Sequence, residues 1–386
     1  MHQSWHPAGM RSGGRDFRGR WRMRRLFGAV VQGLALGVAM VGATTPAAYG
    51  ADAIQVKTPL EVAARMSPRA IRSRLTDVVR TPGGAIVAVG QRGHIVVSRD
   101  NGKSWQQSPV PVSSDLVAVQ FPSAQVGWAV GHDGVVLKTV DGGQSWSVML
   151  TGRTYGDILV RYYEETVRRG KTDAMAALDQ AARLKEDGAD KPFLGVWFDD
   201  GRRGWVVGAF NLILGTEDGG ETWHPWIDRI DNDAGYTLFD IRRVGGELYI
   251  AGELGLFLRL DHDKGRFVRV ETPYRGSYFG VTGDDRLLVV YGLRGNAFAS
   301  TDKGRTWSRF DTGLAGGISK AGLLADGRLL FVSGDGEIRF GGGTGGGFDK
   351  LPYSNPMSLG SFAELGDGHL LVVGSSGTRD VPLPEM

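Results

Sequence analysis

The side chains in this sequence that could bind a ligand or catalyse a reaction are concentrated at short predicted turns after apolar runs. These turns carry several arginines and tyrosines, together with one asparagine, one histidine and one glutamate. This mixture suits recognition of another polypeptide, since tyrosine and arginine supply many of the anchors in protein interfaces. The predicted partner-binding residues are Arg92, Arg294, Arg275, Tyr155, Tyr236, Tyr274, His132, Asn211 and Glu253. We expect a rigid scaffold to gather these turns on one face.

Covalent and metal chemistry have less support in the sequence. His132 and Asp133 are adjacent but have no second histidine nearby, and Asp261 and Asp263 lack the later ligands of a calcium loop. Neither a G-x-S-x-G elbow nor a G-x-x-x-x-G-K-S/T loop occurs. We therefore predict no catalytic residue, no metal and no cofactor. Glycoside hydrolysis stays open as an alternative, with Glu253 or Asp133 as candidate acids, since its two carboxylates need only meet in space.

Four copies of one hairpin indicate which elements position these turns. Each copy is a strand end, an Asp-x-Gly turn and a new strand that opens on Ser/Thr-Trp; the copies are Val97–Trp105, Lys138–Trp146, Gly215–Trp223 and Ala299–Trp307. The Asp side chain can accept hydrogen bonds from its own turn, and the Gly can take a positive φ. We predict a structural role for the repeated residues Asp100, Trp105, Asp141, Trp146, Asp218, Trp223, Asp302 and Trp307.

Glycines that end an apolar strand give the period of the repeat. They are Gly90, Gly131, Gly208, Gly252, Gly292, Gly334 and Gly374, at spacings of 41, 77, 44, 40, 42 and 40 residues. Seven units of about 40 residues predict an all-β, seven-bladed β-propeller with four strands per blade. Turns between the second and third strands and the connections between blades should open on one face, and the Asp-Gly-Trp hairpins on the other.

Two segments depart from the regular repeat. Arg153–Lys191, inside the 77-residue gap, has apolar residues at helical spacing and predicts a helical hairpin between blades two and three. Such an insertion is either a solvated decoration lying on the propeller or a partner-binding arm. The pattern of the last unit, Leu359–Pro384, ends after its third strand, so Ile54–Lys57 is predicted to supply the missing strand.

Residues 1–50 have the pattern of a secretory signal peptide. Seven arginines between Arg11 and Arg25 precede an apolar run from Leu26 to about Ala43, and Ala48-Tyr49-Gly50 offers a cleavage point. The alternative is an uncleaved membrane anchor. We predict a signal peptide over 1–50, a propeller over 51–386 and a periplasmic location, with no membrane span once the signal peptide is removed.

Charge and cysteine content exclude further classes. Removal of residues 1–50 lowers Lys+Arg from 45 to 38 and Asp+Glu from 42 to 41, so the net charge falls from +3 to −3. A domain without a basic excess is not expected to bind nucleic acid. The sequence has no cysteine, which excludes disulfides, thiolate metal sites and a lipoprotein cysteine anchor within it.

The hairpins match the Asp-box, or BNR, repeat of sialidases and related propellers, but the Arg-Ile-Pro signature of sialidases is absent. Together with G-W-A-V-G at Gly127–Gly131 and G-W-V-V-G at Gly204–Gly208, they make the chain resemble the photosystem II stability/assembly factor family over about Leu75–Gly377. That resemblance implies a non-enzymatic chaperone that binds new membrane-protein subunits partly through an arginine patch, which Arg92 and Arg294 would supply. The implied partner is a membrane-protein complex, either photosystem-like or another such as an envelope transporter. A sialidase-like glycoside hydrolase and a carbohydrate-binding propeller are the alternatives.

Overall fold

The computed structural model describes residues 57–342, 347–366 and 368–384. In these ranges the chain forms seven antiparallel sheets, six of four strands and one of three. The innermost strands of consecutive sheets are neighbours, and the first sheet also contacts the last. The chain is therefore a seven-bladed β-propeller, as the repeat predicts. The predicted signal peptide lies outside the described residues.

Strand order within every blade follows the chain, from the innermost strand outwards. Blades one to three consist of β1 Leu75–Arg80, β2 Ile86–Gly90, β3 Ile95–Ser98 and β4 Gln106–Gln107; β5 Leu116–Gln120, β6 Gly127–Gly131, β7 Val136–Thr139 and β8 Ser147–Leu150; and β9 Phe193–Phe198, β10 Gly204–Gly208, β11 Ile213–Thr216 and β12 His224–Pro225. Blades four and five consist of β13 Leu238–Val244, β14 Glu247–Gly252, β15 Phe257–Asp261 and β16 Arg266–Arg269; and β17 Tyr278–Gly283, β18 Leu288–Gly292, β19 Ala297–Ser300 and β20 Ser308–Phe310. Blades six and seven consist of β21 Ile318–Leu323, β22 Arg328–Ser333, β23 Ile338–Gly342 and β24 Asp349–Lys350; and β25 Leu359–Glu364, β26 His369–Gly374 and β27 Gly377–Pro382.

Both α-helices of the described chain lie in the insertion, and most of the 3-10 helices lie outside it. The two α-helices are α1, Gly152–Arg168, and α2, Met175–Glu186. The single-turn 3-10 helices are Pro59–Glu61, Ala70–Arg72, Gln91–Gly93, His132–Gly134, Thr172–Ala174, Gly188–Asp190, Ala209–Asn211, Ile227–Arg229, Glu253–Gly255 and Leu293–Gly295. Five of these short helices are the turns between the second and third strands of blades one to five.

In six of the seven blades, the glycine at the end of the second strand is required by a close backbone approach. In blade two, a Cβ built on Gly131 would lie 2.1 Å from the carbonyl oxygen of Asp115. That carbonyl cannot easily move away, because it accepts a 2.8 Å hydrogen bond from the backbone N–H of His132. In six blades the periodic glycine therefore marks the point where the second strand meets the connection that enters the first strand. Blade six is the exception, because a Cβ on Gly334 would meet only Ser319 Oγ, at 3.9 Å.

We expect Gly131→Ala to lower the free energy of unfolding by about 1–3 kcal/mol, because the added methyl group would push the Asp115 carbonyl aside. Chemical denaturation monitored by tryptophan fluorescence measures the change. Gly342→Ala is the control: a Cβ there meets nothing within 4 Å. Equal stability of Gly131→Ala and the wild type would contradict the explanation of the period.

Each innermost strand carries a β-bulge at its second residue, next to the channel that runs through the centre of the ring. The bulged residues, in blade order, are Thr76, Val117, Leu194, Phe239, Phe279, Ser319 and Gly360. Next to this ring, Asp77 accepts a hydrogen bond from Val119 N at 3.0 Å and pairs with Lys320 at 3.2 Å. The first contact ties the inner strands of blades one and two together, and the second links blade one to blade six.

The helical hairpin predicted over Arg153–Lys191 is present and belongs to the core. Tyr155, Leu159 and Tyr163 of α1 are fully buried and share one apolar cluster with blades two and three. The helix begins at Gly152, because Thr151 and Thr154 form a capping box. The interpretation of the insertion as a merely solvated decoration is therefore wrong for α1, which packs against the outer side of the blades.

The ring closes by apolar packing between blade seven and blade one. Leu75 of β1 lies in a buried cluster with Leu371 and Val373 of β26. Blade seven has three strands, as its sequence indicates, and no strand lies between residues 57 and 74. The predicted closing strand Ile54–Lys57 falls almost wholly outside the described residues and stays a prediction.

The described N-terminal segment crosses blade one. At its start, Arg153 donates hydrogen bonds to Thr58 and Glu61, both at 2.8 Å, and the bond from Arg153 lowers the pKa of Glu61 to about 2. Further along, Ala64 N donates to Val110 O at 2.9 Å. The segment thus links the start of the insertion to blade one, and it engages Arg153 in an internal contact.

Candidate functional site

Hydrogen bonds show which loops share a face. In all seven blades the first residue after the strand-two glycine, or that glycine itself in blade six, donates its N–H to the residue just before the first strand. Gln91 N to Arg74 O, at 3.1 Å, and Leu293 N to Ser277 O, at 3.0 Å, are two examples. The turns between second and third strands therefore lie beside the connections between blades, as predicted. We call this surface the first face.

Four of the predicted partner-binding residues are exposed on the first face: Arg92, Arg294, Arg275 and His132. Arg92 and Arg294 occupy the same place in the turns of blades one and five, each with a left-handed backbone, at φ 55° and 57°. None of the three arginines forms an ion pair with a carboxylate in the described part of the chain. Their charges are therefore available to an incoming group.

Three more of these residues are half-buried and already make contacts. Tyr274 packs against Tyr278 and Phe298, and its hydroxyl donates to Leu293 O at 3.3 Å. Tyr236 packs against the large cluster of blades two to four, and Glu253 accepts a hydrogen bond from Thr237 N at 3.2 Å. These residues shape the first face, and each leaves only part of its side chain at the surface.

The predictions for Tyr155 and Asn211 are wrong, because both side chains are buried. Tyr155 packs edge-on against Phe193, with ring centroids 5.8 Å apart. Burial raises the pKa of its hydroxyl well above the usual range. Asn211 Oδ1 accepts a hydrogen bond from Asn232 Nδ2 at 2.8 Å. Both residues hold turns in place from below and cannot contact a partner.

Exposed apolar residues on the first face were not among the predicted site residues. Phe210 and Leu254 occupy the turn position that Arg92 and Arg294 hold in other blades, and Leu293 lies next to Arg294. All three are exposed. Their place in the repeat, aligned turn by turn, was the signal that could have found them.

The Asp-Gly-Trp hairpins lie on the opposite, second face. Gly142 N in the blade-two hairpin donates to Gln125 O, in the turn between first and second strands, at 2.9 Å. Asp141 accepts hydrogen bonds from Thr139 Oγ1 at 2.7 Å, Gln144 N at 2.8 Å and Ser145 Oγ at 2.6 Å. Asp100, Asp218 and Asp302 repeat the pattern in their own hairpins.

The hydrogen bonds hold these hairpin carboxylates in the ionised form. At Asp100 they come first from Ser104 and lower the pKa to about 2. The tryptophans complete the hairpins: Trp146 and Trp223 are buried, while Trp105 and Trp307 donate their indole N–H to Gly102 O and Glu271 O, both at 2.9 Å. The structural role of this set stays a prediction, which these contacts within the scaffold support.

We expect Asp141→Ala to lower the free energy of unfolding by about 1–3 kcal/mol at neutral pH without changing partner affinity. Burial opposes ionisation of Asp141, but the hydrogen bonds from Ser145 and Thr139 outweigh it and lower its pKa below 3.8. The stabilisation is therefore complete above that pH and is lost at lower pH. Thermal melts from pH 7 to pH 2 should show the variant and wild type converging in acid; a constant difference would contradict this account.

Residues 57–342, 347–366 and 368–384 contain neither a metal cluster nor a membrane-spanning helix. No group of three or more His, Cys, Asp or Glu in these ranges could hold a metal ion. No helix there is long and apolar enough to cross a membrane.

A family model described as "Photosynthesis system II assembly factor YCF48" matches residues 61–140 and 179–341. The chain belongs to this photosystem II assembly factor family. The unmatched stretch 141–178 contains α1, so the first helix of the insertion lies outside the shared family pattern. Membership rests on most of the propeller, including the turns that carry Arg92 and Arg294.

The chain is similar to further proteins in sequence and in structure. Photosystem II assembly lipoprotein Ycf48 of Synechococcus sp. (strain CC9902) is 26% identical over 148 residues, 38% of this chain and 44% of the relative. The chain thus spans less than half the length of the curated relatives that it matches. The structure of YCF48 bound to a D1 peptide has a TM-score of 0.60 at 14% identity, over 84% of this chain and 96% of that one. YCF48 from Cyanidioschyzon merolae has a TM-score of 0.58 at 17% identity, over 84% and 99%. At these identities the structural likeness shows the fold.

Proposed function

We propose that this protein is a non-enzymatic assembly factor that acts in the periplasm and binds a segment of a membrane-protein subunit on its first face. The observation that carries the proposal is the presence of Arg92, Arg275 and Arg294, exposed and without ion pairs in the described chain, on the face opposite the structural hairpins. Arginine forks recognise carboxylates and backbone carbonyls of a polypeptide.

Family membership supports a protein partner. A YCF48 structure contains a D1 peptide, and the Synechococcus relative is named an assembly lipoprotein of photosystem II. We infer a client of the same kind, a subunit of a photosystem-like complex or of another membrane complex such as an envelope transporter. The signal-peptide pattern over residues 1–50 supports the periplasmic location.

The acids proposed for glycoside hydrolysis do not favour that alternative. Glu253 is engaged by Thr237 N, and Asp133 is the left-handed residue of its turn. In the channel, Asp77 is held by Val119 N and Lys320. The contacts of Glu253 and Asp77 therefore serve the scaffold, which supports a binding function rather than hydrolysis.

Affinity chromatography tests the proposed function. The protein is immobilised on a column, and detergent-solubilised membranes of the source cells are passed over it. We expect specific recovery of subunits of one membrane complex, identified by mass spectrometry, and no turnover of a fluorogenic sialoside and glycoside panel. Turnover that is lost in Glu253→Gln or Asp133→Asn would favour the hydrolase. Recovery no greater than on a column with no protein would contradict the assembly function.

A further inference from the structure

The proposed function leaves open what the first face recognises besides charge. Building on it, we propose that the sector over blades three to five is an apolar subsite, which binds an extended polypeptide segment whose apolar side chains are followed by carboxylates. We call this sector, formed by Phe210, Leu254, Leu293, Phe239 and Phe279, the apolar sector.

The turns of blades three and four carry a bulky apolar residue where the backbone disfavours one. Phe210 and Leu254 have φ of 54° and 52°, a left-handed conformation that asparagine, aspartate and glycine tolerate best. Both are also more than half exposed, at 56% and 51%. The equivalent residue of blade two is Asp133, which fits the conformation and the solvent. A residue that suits neither its backbone nor its surroundings is a mark of function.

The mouth of the central channel is apolar on the same side. The bulged residues of blades three to five are Leu194, Phe239 and Phe279, and the two phenylalanine rings meet edge-on at 5.5 Å. All three are only partly buried. In contrast, blades six and one place Ser319 and Thr76 in the same ring. Turn and mouth thus both carry apolar residues in blades three to five, and the apolar part of the mouth also includes Val117 of blade two.

The charged residues around the apolar sector indicate which ligand it binds. Arg275 follows blade four and Arg294 lies in the blade-five turn beside Leu293, and neither is ion-paired within the described ranges. The cation on the blade-three side, Lys191, lies 5.2 Å from the Phe210 ring and is already paired with Asp187 and Asp190. Of these three cations, the two without an ion pair in the described ranges lie toward the blade-five end of the sector, which fits a ligand with apolar groups first and carboxylates after them.

The test uses fluorescence polarisation of short fluorescein-labelled peptides. One peptide has leucines followed by aspartates, the second has serines in place of the leucines, and the third has lysines in place of the aspartates. Wild type is compared with Leu254→Asn, which keeps the fold because asparagine suits a left-handed turn. Val140→Asn is the matched control, since Val140 is an exposed apolar residue of the second face.

We expect the leucine–aspartate peptide to bind at least about tenfold more tightly than either other peptide, and Leu254→Asn to weaken it about tenfold. The serine–aspartate peptide should bind Leu254→Asn and wild type equally, and Val140→Asn should change nothing. The wild type could instead bind the leucine and serine peptides equally, with binding of both peptides lost in Arg275→Glu/Arg294→Glu. That result would overturn the apolar subsite and leave the proposed function intact. Binding of none of the peptides would also overturn it. A third result would also overturn it: Leu254→Asn loses binding to phosphatidylglycerol vesicles while its peptide binding is unchanged. The sector would then face a membrane.

Discussion

Reversing two charges on the first face, in Arg92→Glu/Arg294→Glu, should lower recovery of the membrane partner at least about a hundredfold. Each arginine is exposed without an ion pair in the described chain, so its charge is available to the partner. Arginine anchors often contribute about 2 kcal/mol or more each, and reversal adds repulsion to that loss. Binding isotherms of the purified partner, measured at two salt concentrations, give the change in affinity.

The matched control reverses two arginines on the second face. Arg99 and Arg305 are exposed in the Asp-Gly-Trp hairpins of blades one and five, so Arg99→Glu/Arg305→Glu makes the same change in net charge. We expect this variant to bind within about twofold of wild type, since surface substitutions away from a contact change energies by only about 0.5 kcal/mol. Equal losses in both variants would indicate a general charge effect and contradict a site on the first face.

Removing one apolar side chain from the insertion should destabilise the whole propeller. Leu159 of α1 is fully buried and shares a cluster with residues of blades two and three. We expect Leu159→Ala to lower the free energy of unfolding by about 2–5 kcal/mol, through lost burial and the cavity left behind. Denaturant titration followed by circular dichroism and by tryptophan fluorescence measures it.

The control for this prediction is Met175→Ala at the start of α2. Met175 is 55% exposed, so its loss should cost less than about 0.5 kcal/mol. If Leu159→Ala melted only the helices, the circular dichroism transition would separate from the fluorescence transition. Two separate transitions would contradict the view that α1 and the blades form one core.

Sequence periodicity predicts the scaffold well because the physical demands recur in every blade. The close approach that requires Gly131 and the turn that requires Asp141 are local, and each leaves its residue type in the sequence at a fixed spacing. The start of α1 was harder to predict, because its capping box uses Thr154 in place of the usual Glu or Gln.

The candidate site was predicted less fully than the fold, because the type of a residue does not show whether its side chain is buried or exposed. Tyr155 and Asn211 have side chains that suit recognition, yet both are buried, Tyr155 against Phe193 and Asn211 against Asn232. Conversely, Phe210 and Leu254 have the type expected in a core, and only the position of their turns places them at the surface. Such assignments depend on contacts between distant parts of the chain, which spacing alone does not provide.

The central claim is that the first face meets another polypeptide while the second face serves the scaffold. Site-specific photo-crosslinking tests it most directly, with p-benzoylphenylalanine placed either at Arg275 on the first face or at Val140 on the second. We predict a crosslinked membrane-protein subunit from position 275 and none from position 140. A crosslink to that subunit from position 140 alone would contradict the claim.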